Sequence, residues 1–422
     1  MYYFQNSTTH FRFPNHHRKP PPWRVALLAN LAGEVARDAD SPPDAGAEFD
    51  RQETIEALAA ALERDGHWVH ICRADYTLTE TLRNLRPDIC FNIAEGVTGD
   101  SREAQVPALC EMLDIPYTAS RILANALSLD KPQTKRVWLS QGLPTPHYQV
   151  FQTPNEALDP RLELPLLVKP AREGTGMGID QRAVVRTPAE LKHRVSWVLQ
   201  TYRQPALVEE FLPGREFTVG FIGNPGPTQA RCRPWLYEAS GYHVFPILEL
   251  DNGQSSTPGV YGHAAKEVEI GGVGAPEYMC PAPIPGELKN VLVDLGLRAA
   301  EALDACDVAR IDIRLDAHGA PQLLEINTLP GLNPALSDLC IMAAAEGMSY
   351  DVLITEILYL AAERNGLPFE AAEREKIGHA GSRMTGLGYP VELEGALVAP
   401  PAKRERGAAS RRPRSSAGTR RR

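Results

Sequence analysis

Two stretches of this chain, Ala309-Arg310-Ile311-Asp312-Ile313-Arg314-Leu315 and Leu323-Leu324-Glu325-Ile326-Asn327-Thr328, alternate between polar and aliphatic residues. A period of two marks a half-buried strand, and two such strands joined by a short turn form an antiparallel hairpin. Alternation places Arg310, Asp312 and Arg314 on one face of the first strand, and Glu325 and Asn327 on one face of the second. If the hairpin turns on His318 and Gly319, Asp312 stands opposite Glu325 and Arg310 opposite Asn327. Facing carboxylates repel unless something positive lies between them, and Asp, Glu and Asn offer the hard oxygen ligands that magnesium takes. Asp312, Glu325 and Asn327 are therefore candidate metal ligands. The plainer alternative is a half-solvated hairpin in which Arg310 and Arg314 neutralise the acids as surface ion pairs, each worth about 1 kcal/mol or less.

With 422 residues, 43% of them apolar, the chain exceeds the size at which one core keeps growing, so two or three packed domains are expected. No apolar run approaches bilayer-spanning length, and the first residues lack the apolar centre of a secretory signal. These features predict a cytoplasmic protein with no membrane partner. The seven cysteines, at 72, 90, 110, 232, 280, 306 and 340, include no Cys-x-x-Cys pair and read as reduced thiols that fill the core. The net charge of -9 conceals an asymmetry: residues 403–422 carry nine Lys or Arg and one Glu, which leaves -17 on the remainder. An acidic body disfavours nucleic acid as a specific partner, so any contact with RNA or an anionic surface falls to that tail, whose composition predicts disorder.

Residues 1–22 are polar and His-rich, end in a proline run and read as an unstructured extension. An alternation of strand and helix follows: a strand at Val25–Leu28, a helix opened by Asp50 with Glu53 at capping-box spacing, a strand at Val69–Cys72, a helix from Leu78 to Arg86, and a strand at Ile89–Ile93. This order predicts a doubly wound parallel α/β domain over 23–122, with ligands at the carboxyl ends of its strands. Glu95 lies at that edge and is a candidate substrate contact, with an ordinary surface-loop role as its alternative. Residues 123–212 hold a helix from about Lys131 to Gly142 and strands at Leu166–Lys169, Ala183–Arg186 and Ala206–Leu212. Residues 213–366 run from a strand at Glu216 through the opening hairpin to helices around Asp338–Glu346 and Tyr350–Arg364. Periodicity is lost beyond 366, so 367–422 reads as mostly disordered and, from 403, basic.

Two further segments carry chemistry. In Lys169-Pro170-Ala171-Arg172-Glu173-Gly174-Thr175-Gly176-Met177-Gly178, a lysine ends an apolar strand and three glycines follow at alternate positions. Such glycines let backbone N–H groups converge on phosphate oxygens while the lysine adds a point charge. The spacing is neither a Walker A nor a dinucleotide fingerprint, and a flexible hairpin accounts for it equally. In Val208–Phe217, a turn at Pro213-Gly214 links two apolar strands. Glu209, Phe211, Leu212 and Glu216 offer the acceptor, apolar wall and ribose carboxylate that an adenosine needs, against the alternative of an exposed hairpin with solvated acids.

These segments belong to an ordered series. It comprises Ile115-Pro116-Tyr117-Thr118-Ala119-Ser120, Leu129-Asp130-Lys131 with Thr134-Lys135, Leu167-Val168-Lys169-Pro170 with Arg172-Glu173-Gly174, Glu216-Phe217-Thr218-Val219, Cys280-Pro281-Ala282, and Leu324-Glu325-Ile326-Asn327-Thr328-Leu329-Pro330-Gly331-Leu332. Through them, from about Arg24 to Arg364, the chain resembles the ATP-grasp ligases and, within them, the D-alanine–D-alanine ligases. The resemblance implies an N-terminal α/β domain followed by a two-subdomain α+β ATP-grasp fold with ATP between the subdomains. It places Lys131 and Lys169 on the phosphates, Glu173 in the phosphate loop, Glu209 and Leu212 at the adenine beside Phe211, and Glu216 at the ribose. Lys266 falls near the γ-phosphate, and magnesium or manganese on Asp312, Glu325 and Asn327. The implied reaction joins two small molecules, a carboxylate and an amine, both amino acids in the family. The carboxylate attacks the γ-phosphate to give an acyl phosphate, and the amine then displaces phosphate while Arg310 stabilises the oxyanion. Family members commonly pair as homodimers through the first domain.

Departures from the family pattern cluster where substrates are recognised. The Gly-Gly-x-Ser-x-Glu signature after the first strand is replaced by Ala29-Asn30-Leu31-Ala32-Gly33-Glu34, so the substrate ammonium falls to Glu34 or Glu95. The phosphate-loop Ser becomes Thr175, which keeps a hydroxyl, and the Tyr after the loop lysine becomes Glu267. Asn333 and Ser337 occupy the segment that seats the second substrate's carboxylate. The expectation is a carboxylate–amine ligase with altered substrates. The alternatives are a ligase for another amino-acid pair and an ATP-binding regulatory protein without turnover.

Overall fold

The computed structural model describes residues 20–33, 41–228, 231–251, 253, 259, 260, 262 and 276–369. Glu34, Lys266, Glu267 and the basic tail lie outside the described residues.

The first sheet is parallel, ordered β2-β1-β3, with β1 at Arg24–Ala29, β2 at Trp68–Arg73 and β3 at Ile89–Asn92. Covered on both faces, β1 is aliphatic throughout its buried length, as a central parallel strand must be. Helix α1 (Gln52–Arg64) buries Ile55, Leu58, Ala59 and Leu62 along one stripe, and α2 (Leu78–Leu85) buries Leu78 and Leu82. The expected capping box at the start of α1 does not form. Asp50 is instead held by backbone bonds to the end of β1, donating to Asn30 and accepting from Ala32, so the helix begins two residues later with Arg51 as its N-cap. A single 3-10 turn at Arg102–Ala104 leads into α3 (Gln105–Met112), α4 (Ile122–Leu129) and α5 (Lys131–Ser140), the last capped by the Asp130 carboxylate on the Gln133 amide.

The second sheet is antiparallel, ordered β4-β7-β5-β6: β4 at Tyr148–Phe151, β5 at Leu166–Pro170, β6 at Val184–Val185 and β7 at Ala206–Glu210. Helix α6 (Pro188–Thr201) packs Leu191, Val195 and Val198 against Val168 and Val208. The third sheet runs β11-β10-β8-β12-β13 with β9 beside β8. Its strands are β8 (Glu216–Gly223), β9 (Tyr242–Val244), β10 (Leu248–Asp251), β11 (Glu277–Met279), β12 (Val308–Leu315) and β13 (Pro321–Asn327). Alternation along β8 and β12 sends Phe217, Val219, Phe221, Ile311 and Ile313 into one core with Leu292, Leu295 and Ala299 of α7 (Gly286–Glu301). The opposite face carries Thr218, Gly220, Arg310 and Asp312. There α8 (Asp338–Ala345) lies so close that a Cβ at Gly220 would fall 2.8 Å from Leu339 Cδ1. Helix α9 (Tyr350–Arg364) packs against α1 and α8.

The β12–β13 register pairs Arg310 with Asn327 and Asp312 with Glu325, as the alternation requires, although the turn differs from the expected one. Next to the loop Leu315 pairs with Pro321, so the loop is Asp316–Ala320, with the Asp316 carboxylate accepting from the His318 and Ala320 amides. A bulge between Asp312 and Ile313 takes up the odd residue, Leu324, and brings the two acids opposite each other. All seven cysteines are unbridged. No helix among the described residues is long and apolar enough to cross a membrane.

Candidate active site

The hydrophilic face of the third sheet is built directly by strand register. Thr218 and Asp312 are partners across β8 and β12, and the Thr218 hydroxyl donates to Asp312 Oδ1 at 2.7 Å. Arg314 and Glu216 are also register partners and form an ion pair at 3.2 Å. Arg310 reaches Asp312 at 3.3 Å and, more closely, the Asp338 carboxylate at the start of α8 at 2.5 Å. Arg310 and Asp312 are each only 7% exposed, which removes the half-solvated hairpin reading. Two carboxylates and an amide oxygen on facing strands form a donor set that suits a hard divalent cation.

Three lysines complete the arrangement. Lys131, the first residue of α5, donates to the backbone carbonyl of Glu173 and lies 3.4 Å from Glu325 Oε2. Lys169, at the end of β5, contacts Glu209 at 2.6 Å, and Lys135 reaches the other Glu209 oxygen at 2.9 Å and donates to Thr145. Burial works against the charge on Lys169, but Glu209 and Glu325 outweigh it and leave the ammonium above its ordinary range. Lys135 is pulled down to about 8, chiefly by burial and against the pull of Glu209. Glu209 is 1% exposed and, despite its burial, is held below the usual carboxylate range by Lys135 and Lys169. Its carboxylate is the counter-ion of both lysines. An adenine contact through that side chain would share its oxygens with the two lysines.

In the glycine loop, backbone amides are turned toward carboxylates of the β1–α1 loop. Thr175, Gly176 and Gly178 all have positive φ, the first at 50°, a conformation that turns successive N–H groups the same way. The Gly174 amide donates to Glu48 Oε1 at 2.5 Å and the Gly178 amide to Asp44 Oδ2 at 2.8 Å. Glu48 and Asp44 of the β1–α1 loop thus occupy the loop amides that the sequence reading assigned to phosphate. Glu173 is bound by Gln204 at 2.6 Å and by Arg102 at 3.0 Å.

Among the remaining sequence-based candidates, Leu212 is buried and Phe211 lies under the Arg314 guanidinium, 5.3 Å from the ring centre. Asn333 donates to Thr54 of α1 at 2.8 Å and accepts from the Ala335 and Leu336 amides, while Ser337 accepts from the Asn333 amide, so Asn333 ties its loop to α1 and both side chains brace the loop. Burial, with Glu103, Glu48 and Asp50 adding to it, pushes the Glu95 carboxyl well up. The sequence reading missed Glu48, Arg102, Glu103, Lys135 and Asp338 as site residues. Only Lys135 had a signal, its place in the Thr134-Lys135 motif; the others sit in a loop, in the short 3-10 turn or at a helix start, where no period applies.

The family model described as D-ala D-ala ligase C-terminus matches residues 137–359. An uncharacterized protein of Sinorhizobium fredii, y4sG, is 32% identical over 81% of this chain and 97% of its own length. A D-alanine–D-alanine ligase of Carboxydothermus hydrogenoformans is 32% identical over 74% of this chain and 93% of its own. In shape, the crystal structure of the Bacillus anthracis D-alanine–D-alanine ligase complexed with ATP superposes with a TM-score of 0.60 at 19% identity, over 82% of this chain and 99% of that one. Sequence and architecture agree, and this chain belongs to the D-alanine–D-alanine ligase family of ATP-grasp proteins.

Proposed function

We propose that the protein is an ATP-dependent ligase that forms an amide bond between a small carboxylate and a small amine, both amino acids, through an acyl phosphate. The observation that carries this reading is the junction of Lys131 with Glu325 at 3.4 Å, where the lysines of the phosphate side meet the acidic face of β12 and β13. Phosphoryl transfer needs positioning and positive charge more than covalent help. Lys131, Lys169 and the glycine-loop amides supply both to the phosphates, and Lys266, assigned from the sequence, would supply charge at the γ-phosphate. Magnesium bound by Asp312, Glu325 and Asn327 would neutralise phosphate charge. Phe211 and Leu212 wall the adenine, and Glu216 receives the ribose in exchange for Arg314. Arg310, anchored by Asp338, faces the carbonyl oxygen as it becomes an oxyanion. Thr175 in the glycine loop and Glu95 after β3 are the described residues assigned to the substrates; Glu34 and Glu267, outside the described residues, are assigned there from the sequence, and the set departs from the family signature. Glu173 braces the loop through Arg102 and Gln204, and Asn333 and Ser337 shape the acceptor loop.

The test is phosphate release from Mg-ATP across a panel of amino acids. Tight ATP binding with no release for any acceptor would favour the regulatory reading, against which stands the buried Arg310, a group that serves the second step rather than nucleotide binding. Glu325→Gln should lower turnover at least about a hundredfold with little change in melting temperature. Near-normal turnover would remove Glu325 from the metal set.

A further inference from the structure

Residues 41–50 of the β1–α1 loop lie against the glycine loop. Pro42 and Pro43 stiffen this segment, and its backbone turns on itself, Ala45 donating to Pro42, Ala47 to Asp44 and Phe49 to Gly46. Two of its carboxylates meet the same partner. Glu48 Oε1 accepts from the Gly174 amide at 2.5 Å, and Asp44 Oδ2 accepts from the Gly178 amide at 2.8 Å. The first contact depends on glycine, since a Cβ at Gly174 would fall 2.8 Å from Glu48 Oε1. Each acid also has a second anchor. The Tyr202 hydroxyl donates to Asp44, 2.8 and 2.9 Å from its two oxygens, and Arg102 donates to Glu48 at 2.6 and 2.7 Å.

To a backbone amide, a carboxylate and a phosphate offer the same acceptor, a negatively charged oxygen. A backbone N–H is a single donor, so an amide bonded to Glu48 or Asp44 is not free for a phosphate oxygen. Exchanging one anion for the other leaves little charge uncompensated. Arg102 keeps the Glu173 carboxylate at 3.0 Å and the Arg172 carbonyl at 2.9 Å when Glu48 leaves, and an arriving phosphate restores the negative charge lost from the loop. The departing carboxylates are solvated by water. The segment stays tethered throughout, because the Asp50 backbone at its end pairs with Asn30 and Ala32.

We propose that residues 41–50 form an autoinhibitory strap: Asp44 and Glu48 hold the glycine-loop amides as phosphate mimics, and the nucleotide phosphates displace them on binding. This inference rests on the ligase reading and adds a control on nucleotide entry to that site. When only a fraction of molecules is competent to bind, the apparent Kd rises by the inverse of that fraction, so a strap closed about nine-tenths of the time weakens binding about tenfold. Removing the two carboxylates reverses that loss.

The experiment is hydrogen–deuterium exchange of the full chain with and without magnesium and a non-hydrolysable ATP analogue. Stabilisation by a ligand slows exchange, whereas displacement of the strap gives two opposite signs: exchange at least about threefold faster over 41–50 and slower over 172–178. Titration calorimetry adds the affinities, and the double variant Asp44→Ala with Glu48→Ala should bind the analogue at least about fivefold more tightly than the parent. Analogue binding that slows exchange over 41–50 or leaves it unchanged, or that the double substitution weakens or leaves unchanged, overturns the strap and leaves the ligase reading standing. If the analogue binds neither parent nor variant, the nucleotide assignment fails, and inorganic tripolyphosphate takes its place in the exchange measurement. Faster exchange over 41–50 then upholds the strap, and unchanged or slower exchange overturns it. Melting curves establish that the variant is folded, and the exchange measurement on the parent decides the matter where it is not.

Discussion

Glu103 makes its environment measurable. Burial, together with the charge of Glu48, pushes its carboxyl up to about 8 against the opposing pull of Arg102 and Lys131, with Glu325 adding to the rise. The ordinary value is 4.5, so between the two the folded protein holds a proton that the unfolded chain releases. Stability contributed at this position is present below that window and falls as the pH rises through it. Glu103→Gln carries no charge to desolvate, so it should melt above the parent at pH 8 by at least about 1 kcal/mol equivalent, the gain vanishing toward pH 4.5. Melting curves across that range check it, and a pH-independent difference would place the carboxylate in open water. A second residue-scale prediction concerns Asp338, whose carboxylate is the nearer of the two acids that hold Arg310. Asp338→Asn should lower kcat about ten- to hundredfold while the KM for ATP stays within twofold, because Arg310 loses its anchor but the nucleotide contacts remain. A rise in KM with kcat unchanged would move Arg310 out of the chemical step.

Among the elements, α8 and β8 show how packing sets the site. Gly220 lies under Leu339 and Met342 so tightly that an alanine methyl would fall 2.8 Å from Leu339 Cδ1 and 3.2 Å from the Met342 side-chain tip, forcing those α8 side chains to shift at a cost of about 1–3 kcal/mol. Because α8 begins at Asp338, Gly220→Ala should reduce turnover as well as stability, and Leu339→Ala in the same chain should recover part of both. Additive losses in the double variant would show that Gly220 and Leu339 do not share this contact. These elements differ in how well the sequence announced them. The β12–β13 hairpin was legible because one face is a core and the other carries paired polar groups, and the period of two records both. The same holds for the stripe on α1 and for the aliphatic β1. The turn at Asp316–Ala320 and the bulge were not legible, since each shifts the register by one residue and the two shifts cancel at Asp312 and Glu325. The capping box at Asp50 failed because backbone pairing with Asn30 and Ala32, far away in pattern terms, competes for that residue. Glu48, Arg102 and Glu103 occupy segments without a period, and only tertiary folding brings them together.

At the scale of the whole molecule, the proposed site is assembled from pieces that no single element owns: Lys131 on α5, Lys169 on β5, and the acids on β12 and β13. Nucleotide and magnesium would tie these pieces together, so binding should appear as stability. A ligand at a hundredfold excess over its Kd adds about 2.7 kcal/mol, a shift of several degrees in the melting temperature. Lys169→Met tests the link because it keeps much of the aliphatic stem while deleting the charge. The free variant should melt lower than the parent, since Glu209 then has Lys135 as its single counter-ion in a site that is 1% exposed. The decisive quantity is the difference between melts with and without Mg-ATP, which should shrink to less than half the parental shift. Glu325→Gln should leave the shift with ATP alone unchanged but remove the increment that magnesium adds. A full Mg-ATP shift in Lys169→Met would mean that the nucleotide is held elsewhere, and that the glycine loop, already occupied by Glu48 and Asp44, is a structural turn.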